Sequence, residues 1–326
     1  MTIVLPERFG WVGLGAMGGP MAKRLLMNNS ATLVIYDRDQ SMMQRFVGDA
    51  QGGRVEIASS AREVAEKSEC IFTIVPEGSH VKEVYLTSET GCLLRTRQEN
   101  YLSIGTSGGN TLRVLPQTTA EHFSYSSTID LASSIAVGDT VMKTDAEGAA
   151  QFYDCPVSGG TAGASKGIIT FMIHKSDGRE GLGLAAKLSN NYLSGIIALA
   201  TSEAMNLGMR LGIDAKVLSN CLDNGSAANW VNSTVNPVPG VCPDAVTSRN
   251  YEGGFKVQLM EKDMRLAIEA ARKVAAKLVL GDTAVGAYSA AASDPSYRDK
   301  DSRVVYKWLG GVDPRVDLLK LGNNTG

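Results

Sequence analysis

The segment Gly10-Trp-Val-Gly-Leu-Gly-Ala-Met-Gly18 decides the fold, because it places three glycines between an apolar run and a helical pattern. Residues 9–14 predict a buried strand, and residues 20–28 predict the helix that follows it. A second strand is expected at residues 32–36, and Asp37 ends it. Strand, glycine-rich turn, helix and strand together form a βαβ unit of the kind that binds dinucleotides.

Each glycine of this turn has its own function in such a unit. Gly13 permits the tight turn, Gly15 lets a pyrophosphate approach the backbone, and Gly18 lets the helix pack closely on the strand. Asp37, about 20 residues further along, would accept hydrogen bonds from the ribose hydroxyls and repel a 2′-phosphate. The pattern therefore predicts NAD as the cofactor, while the adjacent Arg38 is a residue that could accept the 2′-phosphate of NADP.

Beyond this unit, apolar and helical segments continue to alternate. Residues 70–75 predict a buried strand that Pro76 ends, and residues 81–85 predict a helix. Such alternation is typical of a parallel, doubly wound sheet. Residues 91–125 have little periodicity and contain a patch rich in Gly, Ser and Thr, so we interpret them as a loop.

The second part of the chain has a helical pattern throughout. Apolar residues recur at helical spacing over residues 184–211, and Gly212 ends that pattern. Shorter helical patterns follow at residues 215–222, 254–280 and 284–292. We therefore predict an α/β fold class, with a Rossmann-type doubly wound parallel sheet over residues 1–183 and an all-helical substrate and dimerisation domain over residues 184–326.

The composition excludes several classes of partner. The 326 residues carry a formal net charge of −2 and a pI of about 6.0, which disfavours binding to nucleic acid or to an anionic membrane. No apolar run reaches the roughly 18–20 residues needed to cross a bilayer. The five cysteines form no CxxC pair and the three histidines lack metal-ligand spacing, so we expect no metal site and a small molecule as the partner.

Three further segments contain residues that can carry chemistry. In Asp154-Cys-Pro-Val-Ser-Gly-Gly160, backbone N–H groups and the serine hydroxyl can form a nest for a carboxylate, although a flexible turn has the same composition. Lys187 and Asn191 are one helical turn apart, so Lys187 could accept a proton there, the alternative being a surface lysine. Lys262 lies early in a later helix, where the alternative is a solvated face.

In this order, the motifs resemble those of the β-hydroxyacid dehydrogenase family. The glycine segment looks like the family's cofactor signature, residues 154–160 like its substrate motif, and residues 183–191 like its catalytic motif. Three more segments are similar to the branch of the family that acts on 3-hydroxyisobutyrate, at residues 202–212, 236–240 and 250–255.

The resemblance implies a role for each matching residue. Lys187 would be the catalytic base, and Asn191 would orient the substrate and the lysine. The substrate carboxylate would be held by Ser158, Gly159 and Gly160. The implied cofactor-binding residues are Gly13, Leu14, Gly15, Ala16, Met17, Gly18, Asp37, Arg38, Val75, Pro76, His80, Thr128 and Lys262, with His80 standing where the family often has asparagine.

The resemblance also implies an activity and its setting. We expect NAD-dependent oxidation of 3-hydroxyisobutyrate to methylmalonate semialdehyde, a step of valine catabolism. The alternatives are another small 3-hydroxy acid, of the tartronate or succinic semialdehyde type, or a catalytically impaired NAD-binding paralogue. A homo-oligomer, dimer or tetramer, is expected. The mitochondrial matrix is the expected compartment although residues 1–8 show no presequence, and the cytoplasm is the alternative.

Two segments depart from the family pattern. Residues 95–125 are longer than the short turn and strand that the family has there. Residues 174–180 are too few for the helix and strand that the family places next, since such a connection takes at least about a dozen residues. We therefore expect an insertion in the first segment, and in the second a deletion that removes an edge element from the sheet.

Overall fold

A computed structural model gives the fold of the chain. It describes residues 6–28, 30–50, 54–87, 89–92, 103–105, 113–115, 122–125, 128–144, 151–172 and 181–314. The chain divides into two compact units, Met1–Lys187 and Leu188–Gly326. The assignment of residues 1–183 and 184–326 to domains with separate functions stays a prediction.

The first unit is built on a six-stranded parallel sheet. In chain order the strands of this unit are β1 (Arg8–Val12), β2 (Thr32–Tyr36), β3 (Val55–Ile57), β4 (Cys70–Thr73), β5 (Ser103–Gly105), β6 (Arg113–Leu115), β7 (His122–Tyr125), β8 (Gln151–Asp154), β9 (Val157–Ser158) and β10 (Thr170–Phe171). The sheet has the order β3-β2-β1-β4-β7-β8, and every adjacent pair in it is parallel. The remaining strands form two antiparallel pairs, β5 with β6 and β9 with β10. This strand order is that of two mononucleotide-binding halves that meet between β1 and β4.

Helices connect these strands, and several begin at a polar side chain. They are α1 (Gly18–Met27), α2 (Gln40–Asp49), α3 (Ala61–Lys67), α4 (Gly78–Leu86), α5 (Leu131–Thr144) and α6 (Gly160–Lys166). The Asp39 carboxylate accepts a hydrogen bond from the Ser41 N–H at the start of α2, and the Ser60 hydroxyl accepts one from Glu63 at the start of α3. The core contains Trp11 stacked on a phenylalanine of β4.

The predicted Rossmann-type sheet is confirmed, and one part of the sequence interpretation is wrong. Residues 122–125, which we interpreted as part of a loop, form β7 and pair with both β4 and β8. A strand of four residues is too short to show a clear period, and its pairing partners lie far away in the sequence. Residues 174–180 lie outside the described residues, as does most of the segment 95–125, so the deletion and the insertion stay predictions.

The second unit is helical, as predicted. Its helices are α7 (Leu182–Arg210), which begins in the first unit, α8 (Ala215–Asn224), α9 (Trp230–Val235), α10 (Val257–Lys273), α11 (Gly281–Ser293) and α12 (Val305–Trp308). Helix α7 packs closely on α10, since a Cβ on Gly195 would lie 2.8 Å from the Met264 sulfur. The buried Tyr288 hydroxyl of α11 donates to the Gly195 carbonyl at 2.8 Å. None of the helices in the described part of the chain has the length and apolar character needed to span a bilayer.

Candidate functional site

The glycine turn after β1 has the geometry that each of its three glycines predicts. Gly13 has φ +96°, and a Cβ there would lie 2.1 Å from the Ile74 carbonyl oxygen. A Cβ on Gly18 would lie 2.0 Å from the Gly13 carbonyl oxygen, whereas one on Gly15 would meet no atom within 4 Å. The first and third glycines therefore serve backbone packing, and the second leaves its outer face open to a ligand.

Helix α1 presents its positive end at this turn. Met17 occupies the N-cap position without a side-chain hydrogen bond, and the first turn contains no acidic residue. The partial positive charge of the helix terminus is thus not neutralised from within its own first turn. Together with the open face of Gly15, this arrangement fits the diphosphate of a dinucleotide.

Asp37 lies beside the glycine turn and is held by backbone groups. One carboxylate oxygen accepts a hydrogen bond from the Leu14 N–H at 2.7 Å, and the other accepts one from the Asp39 N–H at 2.9 Å. These bonds fix an acceptor at the carboxyl end of β2. An ionised carboxylate accepts hydrogen bonds from ribose hydroxyls and repels a phosphate, so the position supports NAD.

The other predicted cofactor residues of the first unit follow neighbouring strands at the same edge of the sheet. Val75 and Pro76 follow β4, and Thr128 follows β7. The Arg38 guanidinium, next to Asp37, lies 3.3 Å from the ring of His80 on α4. The predicted cofactor residues of this unit therefore follow neighbouring parallel strands at the carboxyl edge of the sheet, where a doubly wound fold binds its ligands.

The predicted substrate nest lies between β9 and α6. Gly159 has φ +133° and Gly160 has φ +64°, so both adopt backbone conformations that favour glycine. Ser158 pairs with Thr170 of β10, which fixes one side of the turn. A Cβ on Gly160 would meet no atom within 4 Å, so this part of the turn faces open space. The turn is thus anchored on one side by strand pairing and accessible on the other.

The start of α7 is fastened to the sheet by a buried carboxylate. Asp154, at the end of β8, is 5% exposed and accepts a hydrogen bond from the Leu184 N–H at 2.6 Å. A Cβ on Gly183 would lie 2.5 Å from the Met172 carbonyl oxygen and 2.6 Å from that of Asp154, so only glycine allows this approach. Lys187, one turn further, is 7% exposed, which contradicts the alternative of a surface lysine.

Asn191 lies one turn beyond Lys187 and is held by polar neighbours within the second unit. Its amide nitrogen donates to the Asp263 carboxylate at 2.6 Å, and its amide oxygen accepts from Asn190 at 3.0 Å. Asp263 is buried and also forms an ion pair with Lys262 at 2.9 Å. Lys262 belongs to the second unit, so its place among the cofactor-binding residues stays a prediction.

The sequence alone assigned no role to two acidic side chains of this arrangement. Asp263 stands on the buried face of α10 together with Met260 and Met264, and a carboxylate at such a position is a signal that could have been found. Asp154 was included only as the first residue of a motif, and its bond to α7 joins residues 30 positions apart. No local sequence pattern indicates a contact between residues so far apart.

Thiol and metal chemistry receive no support from the described residues. All five cysteines are free, and burial raises the pKa of the Cys70 and Cys92 thiols to about 12. These two thiols therefore stay protonated and unreactive near neutral pH. Within the described ranges, no cluster of three His, Cys, Asp or Glu side chains could hold a metal ion.

Comparison with known proteins places the chain in a family. Residues 8–122 match the family model described as the NAD binding domain of 6-phosphogluconate dehydrogenase, and residues 181–309 match that described as NAD-binding of NADP-dependent 3-hydroxyisobutyrate dehydrogenase. The mitochondrial 3-hydroxyisobutyrate dehydrogenase of Mus musculus is 34% identical, over 94% of this chain and 88% of its own length. The chain belongs to the 3-hydroxyisobutyrate dehydrogenase-like family of β-hydroxyacid dehydrogenases.

Other members of the family extend the comparison. An NAD-dependent L-serine dehydrogenase of Pseudomonas aeruginosa is 32% identical, over 92% of this chain and 97% of its own length. The solved 3-hydroxyisobutyrate dehydrogenase of Mycobacterium tuberculosis with L-serine has the same fold, with a TM-score of 0.76 and 24% identity over 94% of this chain and 99% of that one. The predicted family and the predicted cofactor NAD are confirmed, and this family member is an oxidoreductase that acts on a small molecule.

Alanine at Gly15 and at Gly18 should impair two different properties, cofactor affinity and stability respectively. We expect Gly15→Ala to fold normally and to bind NADH at least about tenfold more weakly, because its methyl group fills the open face of the turn. Gly18→Ala should destabilise the protein by about 1–3 kcal/mol, since its Cβ collides with the Gly13 carbonyl. Thermal melting measures the stability of each variant, and NADH fluorescence titration measures its cofactor affinity. Parent-like NADH affinity in Gly15→Ala would contradict the assignment of the turn.

Replacing Asp154 tests whether its carboxylate holds the start of α7. Asp154→Ala leaves the buried Leu184 N–H without this acceptor, which costs about 1–3 kcal/mol. We expect faster amide hydrogen exchange at residues 184–187 in this variant. Asp154→Asn keeps an acceptor oxygen and should exchange more slowly than Asp154→Ala. Equal exchange in the two variants would mean that the hydrogen bond is not what holds the helix start.

Proposed function

We propose that the protein oxidises 3-hydroxyisobutyrate to methylmalonate semialdehyde with NAD as the hydride acceptor. The observation that carries this proposal is the buried Lys187, one helical turn from Asn191 and following a helix start that Asp154 fastens to the sheet. A buried amine with a fixed backbone is suited to accept a proton from a bound alcohol. Relatives named as 3-hydroxyisobutyrate dehydrogenases support the choice of substrate.

The proposed mechanism divides the work between the cofactor and the chain. Bound NAD would supply the acceptor for the hydride of the carbon that carries the substrate hydroxyl. Lys187 takes the hydroxyl proton at its Nζ atom, so that the alcohol becomes a carbonyl as the hydride leaves. Ser158, with the backbone N–H groups of Gly159 and Gly160, holds the substrate carboxylate. Asn191, oriented by Asp263, positions the hydroxyl group for the transfer.

L-Serine is the second candidate substrate. A relative that is 32% identical over 92% of this chain is named an NAD-dependent L-serine dehydrogenase. L-Serine and 3-hydroxyisobutyrate share a carboxylate and a hydroxyl on carbon 3, and differ in the group on carbon 2, an ammonium in one and a methyl in the other. The proposed nest binds the carboxylate and the proposed base acts on the hydroxyl, so both compounds carry the groups that these residues require.

We place the reaction in valine catabolism in the mitochondrial matrix. The relatives from Mus musculus and Homo sapiens are named as mitochondrial enzymes, which supports this setting. A cytoplasmic location is the alternative. Localisation of the full-length protein in cells, with an untagged N-terminus, distinguishes the two compartments.

We also propose that the protein is a homo-oligomer. Leu193, Leu207 and Leu211 are 57%, 63% and 74% exposed. Their spacing of 14 and 4 residues puts them on one side of α7 and its immediate continuation, and such an exposed apolar stripe favours contact with a second copy. Sedimentation velocity at assay concentration measures the mass of the particle directly.

A substrate panel tests the proposed activity. The compounds are 3-hydroxyisobutyrate, L-serine and the two hydroxy acids that correspond to tartronate semialdehyde and succinic semialdehyde. The readout is NADH formation. We expect kcat/KM for 3-hydroxyisobutyrate to exceed that for L-serine by at least about tenfold, equivalent to about 1.4 kcal/mol. The opposite ranking would assign the protein to L-serine. NADH binding without turnover of any compound would identify a non-catalytic paralogue.

Lys187 variants test the proposed base. Lys187→Ala should lower kcat by about 10²–10⁴-fold and leave NADH affinity nearly unchanged, because a general base contributes about that much. Lys187→Arg should not restore turnover, since a guanidinium stays protonated. Lys166, exposed on α6, provides the matched control, and Lys166→Ala should keep the parent's turnover. Turnover within a few-fold of the parent in folded Lys187→Ala would remove this residue from the mechanism.

A further inference from the structure

A contact between Arg38 and His80 spans the carboxyl end of β1. Arg38 follows β2, His80 lies in the first turn of α4 after β4, and β1 lies between β2 and β4 in the sheet. The Arg38 Nη1 atom is 3.3 Å from the His80 Nε2 atom. The contact therefore reaches over the strand that ends in the glycine turn, close to the proposed ribose acceptor Asp37.

The charge of arginine fixes the direction of this hydrogen bond. A guanidinium is always protonated and only donates, so Nε2 of His80 must be the acceptor. In the neutral ring the hydrogen then lies on Nδ1, which is buried and has no hydrogen-bond partner among the described residues. The ring thus faces Arg38 with its lone pair and the protein interior with its N–H group.

Arg38 itself is exposed and stands next to the residue that selects the cofactor. The hydrogen bonds described for the Asp37 carboxylate come from backbone N–H groups of Leu14 and Asp39, not from Arg38. Guanidinium groups bind phosphate strongly, so an Arg38 side chain that turned toward the ribose would favour NADP. In the structure, the Arg38 guanidinium contacts His80 instead.

We propose that His80 is a specificity-determining residue for the cofactor. By accepting a hydrogen bond from Arg38, it holds the guanidinium away from the adenosine 2′ position and so preserves the preference for NAD that Asp37 establishes. This inference rests on the cofactor and not on the proposed substrate. Its test therefore uses cofactor binding, which is independent of whether 3-hydroxyisobutyrate is oxidised.

The experiment measures the Kd of NADH and of NADPH by cofactor fluorescence. The proteins compared are the parent, His80→Ala, His80→Gln, Arg38→Ala and the double variant His80→Ala/Arg38→Ala. In His80→Ala we expect affinity for NADPH relative to NADH to rise about tenfold, the effect of about one charge-assisted hydrogen bond to phosphate. His80→Gln retains an acceptor oxygen and should stay closer to the parent than His80→Ala does.

The double variant makes the test specific for Arg38. If the released guanidinium causes the gain in NADPH binding, His80→Ala/Arg38→Ala must lose that gain and match Arg38→Ala. The proposal is overturned if His80→Ala weakens both cofactors equally, or if the gain persists without Arg38. If His80→Ala does not fold, His80→Ser, whose side chain is too short to replace Nε2, takes its place once circular dichroism has confirmed its fold. An unchanged cofactor preference in folded His80→Ser also overturns the proposal.

Discussion

The close approach of backbone atoms around the glycine turn is the constraint on which the cofactor half of the structure depends. A Cβ on Gly13 or on Gly18 would lie 2.1 or 2.0 Å from a carbonyl oxygen, far inside van der Waals contact. Because glycine has no side chain, the chain can turn tightly at the end of β1, between β2 and β4, and begin α1 at Gly18. That position brings the residues that follow β2, such as Asp37, and those that follow β4, such as His80, to one edge of the sheet.

Two buried aspartates accept backbone hydrogen bonds at or near the starts of the helices that carry the proposed chemistry. Asp154 accepts a hydrogen bond from the Leu184 N–H at the start of α7. Asp301 is fully buried, accepts one from the Phe255 N–H at 2.9 Å just before α10, and pairs with Arg303 at 2.7 Å. A buried carboxylate is stable only when its acceptor sites are satisfied, so each of these residues demands a defined helix start. The backbone is therefore held at the start of α7, which contains Lys187, and just before α10, which contains Asp263.

The sequence alone predicts the features that depend on local pattern, and the structure adds those that depend on distant contacts. The glycine turn, Asp37 and the long helix α7 could be identified because spacing and residue type define them within a short window. Residues 122–125 could not be recognised as a strand, because their pairing with β4 and β8 joins segments that are far apart. The contact of Asn191 with Asp263 was missed for the same reason, since 72 positions separate them.

The environment of Asp263 bears on which substrate the site favours. L-Serine carries an ammonium group on carbon 2, and transfer of that charge out of water requires an acceptor, most effectively a carboxylate. Asp263 is the buried carboxylate next to Asn191, and it already accepts from Asn191 at 2.6 Å and is paired with Lys262 at 2.9 Å. A carboxylate whose charge is already paired with a lysine attracts a further cation less strongly than an unpaired carboxylate does. A methyl group on carbon 2 makes no such demand, so the pairing of Asp263 with Lys262 supports the proposal of 3-hydroxyisobutyrate rather than L-serine as the substrate.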